Sequence, residues 1–393
     1  MLNPFSLERY FARHEFSSRY LLCTSDCESM TIDELCALDR ERGGDGGNLG
    51  SAWLGYTESK GSPTLRAAIA GLYAGLNLDA ILLHSGAEEA ILNFYLATIE
   101  PGTRVIVNTP CYQSLQEIPR SLGAVVTPWR LRNDGERWTL DMAELREMLE
   151  NVGSGAIVVV NMPHNPTGAL LSRDEFDELI RLCRLYGATL FMDEVYRYLE
   201  ADEADRLPAA CEAYEKAISL SVLSKAWGLA GLRIGWLASS DTAALDKVAA
   251  VKDYNSICAA APSEVLALLA VRQTEVITAR NRKLCGQNRA RFQQFFHKHE
   301  RCFGWIPPVA GSVAFPWMKE CPETSRWGAQ TQNKTAERGA DRLAEELLRD
   351  TGILLLPGSQ YGYDPSFFRI GLGRAGADAG IEIFDSWLNE RGL

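Results

Sequence analysis

Five short apolar runs punctuate the middle of the chain: RVIVN (104–108), AIVVVN (156–161), ATLFMD (188–193), AISLSVL (217–223) and LRIGWLA (232–238). Each is too short for a helix and rich in β-branched residues. None alternates between apolar and polar as a half-solvated strand does, so each reads as a parallel strand buried on both faces. Helical spacing lies between them. Phe176, Leu179, Ile180 and Cys183 recur at three- and four-residue intervals, behind a Ser172–Glu175 capping box and ahead of a terminating Gly187. Ser62-Pro63 opens another helix with a cap and a proline at the first position, and Leu65, Ala68, Ile69, Leu72 and Leu76 fall on one face. Alternating strands and helices predict an α/β fold, a mostly parallel sheet with helices on both faces. Such sheets bind ligands beyond the carboxyl ends of their strands. The polar residues just past each run are therefore the candidates for chemistry.

Four places carry unusual polar groups: Asn161-Met162-Pro163-His164-Asn165-Pro166-Thr167-Gly168, Asp193-Glu194-Val195-Tyr196, Ser224-Lys225 with Arg233 beyond it, and Ser85-Gly86-Ala87-Glu88 at the start of a helix. A lysine at a buried strand end is costly unless it is paired or loses its proton. Without its proton it becomes a nucleophile toward an aldehyde. An aspartate on a neighbouring strand can meet a cationic ring nitrogen. A helix N-terminus with small residues can cradle a phosphate, and an arginine can pair with it. Aldehyde, pyridinium and phosphate together describe pyridoxal 5′-phosphate (PLP). Taken singly, each feature also has an ordinary reading. Asn165 sits in a good turn sequence, Ser85 and Glu88 fit a capping box, and Asp193 could cap a helix. Tyr112 and Tyr196 could be core aromatics, and Arg369 a surface ion pair.

Composition narrows the class without changing that picture. Hydrophobic residues make up 46% of the 393 and charged residues 23%, which suits a folded globular chain with a large core. The net charge of −11 disfavours nucleic acid as a partner. No apolar run reaches the roughly 18 residues of a membrane span, and the first residues lack the apolar core of a secretory signal. Ten cysteines are scattered, and the closest pair, Cys23 and Cys27, has no second pair to complete a zinc site. No metal is expected, and reduced thiols point to the cytoplasm. Gly43–Ser51 and Met318–Asp341 read as polar surface loops, the second running into a helix.

In order and spacing these motifs resemble the class I/II aminotransferases, PLP enzymes of fold type I. The likeness begins by Tyr56-Thr57-Glu58-Ser59-Lys60-Gly61 with Leu65-Arg66, and runs to Pro357-Gly358 and Phe368-Arg369-Ile370. It implies the three-layer PLP-transferase fold, with a large cofactor domain over 45–285 and a smaller α+β domain formed by 1–44 and 286–393. Closure of the smaller domain would shut water out. It implies PLP held on Lys225, which also moves the Cα proton. Asp193 would face the pyridine nitrogen, Asn165 and Tyr196 the phenolic oxygen, and Tyr112 the ring face. Gly86, Ala87, Glu88, Ser224 and Arg233 would surround the phosphate. Tyr56 would reach the phosphate of a neighbouring subunit, which implies a homodimer with shared sites. Arg369, with Asn165, would bind the substrate α-carboxylate.

One departure stands out. The family has Ser, Thr or Gly three residues before the lysine, and here that residue is Val222, so Ser221 or Ser224 must supply any hydroxyl. His164 adjoins a site motif and is read as structural. Tyr254 and Asn255 receive no assignment.

The implied activity is exchange of an amino group between an amino acid and a 2-oxo acid. Leu7–Phe11, Leu223–Trp236 and Lys252-Asp253-Tyr254 are also similar to a cyclising branch of the family, which closes a ring on a hydroxylated arginine. A lyase or cyclase is therefore the alternative. The family's relatives among transcription regulators carry an added N-terminal DNA-binding domain. The likeness here starts near residue 50, so that role is not expected.

Overall fold

The computed structural model describes residues 2–324, 327 and 339–393. Seven strands form the central sheet: β1 (Ile81–His84), β2 (Arg104–Thr109), β3 (Val125–Arg130), β4 (Ile157–Asn161), β5 (Thr189–Asp193), β6 (Ala217–Val222) and β7 (Gly235–Ala238). Their order is β1-β7-β6-β5-β4-β2-β3. The pairs β3-β2, β2-β4, β4-β5 and β5-β6 are parallel, and β7 is antiparallel to both β1 and β6.

The absence of alternation in these strands has a direct cause. Val105, Val107, Ile157, Val159, Phe191, Ile218 and Leu220 enter one core. Ile106, Val158, Val160, Leu190, Met192 and Ala217 enter another on the opposite face. Both faces are dry, so both carry apolar side chains.

Two expectations are corrected. The run 232–238 forms an antiparallel strand only from Gly235. Its first residues belong to the short 3₁₀ turn Ala230–Leu232 and to Arg233, whose φ of +52° breaks the extended backbone. Helix Pro63–Ala70 has the expected Ser62 cap but stops before Leu72 and Leu76. Strands β1 and β3 were not anticipated. The first is only four residues long. The second is an edge strand with Pro128 inside it and several exposed positions, as edges tolerate. Helix Arg173–Tyr186 has both halves of its capping box and ends at Gly187 with φ +64°.

The chain's two ends meet. Tyr20–Leu21 pairs in parallel with Ile353–Leu354. Val313–Ala314, Phe368–Gly371 and Leu356–Pro357 form a three-stranded sheet with antiparallel pairing. Of the polar stretch Met318–Asp341, residues 325, 326 and 328–338 lie outside the described residues, and helix Ala340–Thr351 begins at its end. No helix among the described residues is long and apolar enough to cross a membrane.

Candidate active site

A cleft of about 680 Å³ opens at the carboxyl ends of β4, β5 and β6, within the range of small-molecule sites. Asp193 is the last residue of β5 and is 5% exposed. Its Oδ1 accepts the Val195 N–H at 3.2 Å, and no basic side chain pairs with it among the described residues. Burial pushes its carboxyl up to about 7, against the Val195 N–H and the Lys225 charge. A carboxyl in this position favours a cation arriving from the cleft.

Lys225 stands three residues past the end of β6. Its Nζ donates to Ser25 Oγ at 2.8 Å and lies 6.0 Å from the centre of the Tyr196 ring. Burial depresses its pKa, partly opposed by Asp26. The amine is therefore biased toward the neutral, nucleophilic form.

Arg369, in the middle of the Phe368–Gly371 strand, is 2% exposed and not a surface residue. Its Nε donates to the Cys23 carbonyl at 2.9 Å, and Nη1 donates to Asn165 Oδ1 at 3.2 Å and to Tyr361 Oη at 2.6 Å. Tyr361 in turn donates to Asn165 Oδ1 at 2.8 Å. With its oxygen so engaged, Asn165 has its NH₂ left for the cleft. Asn161 fixes the turn, since its Oδ1 accepts the Asn165 N–H at 2.8 Å.

The residues expected around a phosphate gather at the start of one helix. Helix Ala87–Thr98 begins after Gly86, whose φ is +93°. The alternative reading of Ser85 and Glu88 as a capping box does not hold, since the N-cap is Gly86 and no side chain caps the helix; the Ser85 N–H is held by the Glu89 carboxylate. The first-turn amides of Ala87 and Glu88 have no partner within the helix, and both residues line the cleft. A Cβ on Gly86 would lie 2.3 Å from Arg233 Nη2, so only glycine lets that guanidinium close in. Arg233 also lines the cleft, its Nη1 donating to the Ala230 carbonyl at 3.3 Å. Ser224 and Val222 line the cleft, and Ser221 does not. The Glu88 carboxyl, raised to about 7 by burial, accepts from Ser114 Oγ at 3.0 Å.

Tyr112 and Tyr196 line the cleft, and the Tyr112 hydroxyl donates to Glu8 Oε1 at 2.7 Å. Gly86 adjoins the cleft behind Arg233 without lining it, and Tyr56 stands apart. It is 80% exposed and does not reach the cleft of its own chain. His164 lies outside the cleft, buried between Thr167 Oγ1 and the Pro110 carbonyl, each at 2.8 Å, with its pKa lowered to about 3 by burial. Tyr254 is almost fully exposed, and Asn255 bonds to Asn93 away from the cleft.

Several lining residues were not foreseen: Ser25 and Asp26, Tyr361 beside the cleft, and Glu8 and Glu15 from the N-terminal segment. Helix Ser6–His14 turns Leu7, Glu8 and Phe11 toward the cleft, and Glu15 follows one turn on. That helical spacing was the available signal.

The family model for aminotransferase class I and II matches residues 21–383. Capreomycidine synthase of Streptomyces vinaceus is 28% identical over 356 residues, covering 91% of this chain and 86% of that protein. A PLP-dependent aminotransferase of Streptococcus suis 89-1591 has a crystal structure that superposes with a TM-score of 0.86 at 29% identity, over 99% of this chain and 98% of that one. The PLP-dependent cyclase OrfR superposes with a TM-score of 0.85 at 28% identity, over 100% and 98%. The fold is that of the type I PLP enzymes, and the cofactor is PLP. The unpaired Asp193 carboxyl fits its ring nitrogen, and the Gly86–Arg233 cradle fits its phosphate. The chain belongs to the class I and II aminotransferases.

Proposed function

We propose that the protein exchanges the amino group of an amino acid with a 2-oxo acid. The observation that carries this reading is the convergence of Lys225, Asp193 and Arg369 on one cleft. PLP, when bound, withdraws electrons from the substrate Cα and so acidifies the Cα–H. Arg369 and the Asn165 amide hold the α-carboxylate and thereby orient that bond. Tyr361 braces both groups. The neutral Lys225 amine takes the Cα proton, and Ser25 keeps Nζ in place. The atom to which Lys225 hands the proton decides between amino-group transfer and loss of a side-chain substituent.

A second reading, a lyase or cyclase, draws support from the wall opposite the strands. Glu8 and Glu15 bring two carboxylates to the cleft, and Glu15 has no ion-pair partner among the described residues. Asp26 is already paired with Arg374 at 2.7 Å. Once the phosphate and α-carboxylate are matched to Arg233 and Arg369, Glu8 and Glu15 face one remaining arginine, Arg9, so the surplus on this wall is a single negative charge. It favours a substrate with a cationic side chain. The relatives named capreomycidine synthase and cyclase OrfR support the same branch.

The working enzyme is read as a homodimer with shared sites. Tyr56 is exposed beside Trp53 and Leu54, which are 79% and 81% exposed. The two-domain division at residues 45 and 285 and a cytoplasmic location belong to the same reading, the latter supported by ten free thiols. The deciding experiment incubates PLP-loaded enzyme with single amino acids, including arginine and a β-hydroxylated arginine. Formation of the pyridoxamine form and a 2-oxo acid supports transfer. A cyclised or eliminated product without that form refutes it in favour of the second reading.

A further inference from the structure

A hydroxyl on the N-terminal segment faces the lysine of the cleft. Among the described residues, Lys225 Nζ has one hydrogen-bond acceptor, Ser25 Oγ at 2.8 Å, and it forms no ion pair. Ser25 lines the same cleft. The backbone around it is clamped from both sides. The Ser25 carbonyl accepts from the hydroxyl of fully buried Ser312 at 2.6 Å. The Gly371 N–H donates to the Leu22 carbonyl at 2.8 Å, and the Glu28 N–H donates to the Gly373 carbonyl at 2.7 Å. Packing is so close that a Cβ on Gly371 would strike the Thr24 carbonyl, one on Gly373 the Asp26 carbonyl, and one on Gly228 the Glu28 carbonyl. A backbone held this way keeps Ser25 in place while Lys225 changes its bonding.

Lys225 has two chemical states in the proposed reaction. Free, it is an amine with two or three N–H donors. Joined to the cofactor aldehyde, Nζ forms a C=N double bond, and the aldehyde oxygen leaves as water with both hydrogens of the neutral amine. Nζ then keeps no hydrogen, or one when the linkage is protonated. An incoming substrate amine reverses this without water. Its nitrogen takes over the double bond to the same carbon, its two hydrogens pass to Nζ, and Lys225 is free again.

A fixed acceptor therefore favours the free amine over the joined one, because only the free amine is assured of an N–H to give it. We propose that Ser25 is a positioning residue that stabilises the free-amine state of Lys225. It thereby shifts the balance toward the state in which the substrate, and not the lysine, is bonded to the cofactor. This inference rests on the reading of Lys225 as the residue that joins the cofactor.

The test uses two equilibrium titrations with opposite expected signs, both followed by visible absorption. In the first, PLP is added to apoenzyme. Ser25→Ala should bind it about three- to tenfold more tightly than the parent, because only the free amine loses its hydrogen bond. In the second, 2-aminoisobutyrate is added to PLP-loaded protein. This amino acid has no Cα hydrogen, so the exchange of amines reaches equilibrium without proton transfer at Cα. Here Ser25→Ala should bind about three- to tenfold more weakly. Ser25→Gly removes the same hydroxyl and should repeat both shifts, and it decides alone should Ser25→Ala fail to fold. A merely damaged cleft would weaken both titrations. Shifts of the same sign, or no shift in either, overturn the inference. Borohydride fixation of the cofactor in the parent to a residue other than Lys225 would instead refute the reading of Lys225, and the inference with it.

Discussion

Replacing Asp193 with asparagine should stabilise the cofactor-free protein while disabling the loaded enzyme. Burial lifts this carboxyl from its ordinary 3.8 to about 7. The folded chain therefore holds a proton that the unfolded chain has released, between about pH 4 and pH 7. The group's effect is destabilising, and it grows as pH rises through that window. At about 1.4 kcal/mol per pH unit, the full effect is about 4 kcal/mol at pH 8. Asparagine carries no such charge, and its Oδ1 can still accept the Val195 N–H. For a chain of this length, 4 kcal/mol corresponds to about 5 °C in Tm. Apo D193N should therefore melt about 5 °C above the apo parent at pH 8, with the gap closing toward pH 4. Adding PLP should reverse the order, because the pyridinium neutralises Asp193 only in the parent. Thermal unfolding by circular dichroism across this pH range, with and without PLP, reads both effects. A gap that does not change with pH, or D193N melting lower than the parent at pH 8, would refute the account of Asp193 as an uncompensated buried acid.

Other consequences are simpler to state. Lys225→Ala should abolish the borohydride-fixed lysine adduct seen by mass spectrometry and lower turnover by about 10³-fold or more. Arg369→Lys keeps the charge but loses the planar fork, so steady-state kinetics should show kcat/KM down about 10- to 100-fold, mainly through KM. Ser224→Ala should weaken PLP binding about tenfold in equilibrium dialysis, whereas Ser221→Ala should leave it unchanged, because only Ser224 faces the cleft.

The legible part of the site shares one physical trait. Lys225, Asp193, Asn165 and Tyr196 each lie within a few residues of a strand that is apolar on both faces. Finding the strand from its composition fixes the neighbourhood of the residue. The same logic failed where a strand lacked that composition, as in edge strand β3, or was too short, as in β1. It failed again at 232–234, where the left-handed Arg233 interrupts an apolar run. Arg233 has this conformation with its guanidinium against Gly86, and nothing in the residue types announces it.

The N-terminal wall was legible only as the Leu7–Phe11 likeness, with no role for any side chain, and for a different reason. Its position is set by partners more than 100 residues away: Lys225 on Ser25, Arg369 on the Cys23 carbonyl, Tyr10 Oη on the Leu355 carbonyl at 2.8 Å and Tyr112 on Glu8. No local period encodes such contacts. The division has a functional consequence. The groups assigned to the cofactor sit at or just beyond the ends of the central strands, while the groups left to meet a substrate side chain ride on a segment anchored to the C-terminal strands. Substitutions at Glu8 or Glu15 can therefore alter which amino acid is accepted while leaving the Lys225–Asp193–Arg233 framework intact. On the proposed reading, the motifs at the strand ends point to the cofactor and the first proton transfer, while the choice between transfer and cyclisation falls to this wall, of whose carboxylates only Glu8 lay in a segment, Leu7–Phe11, that the sequence singled out.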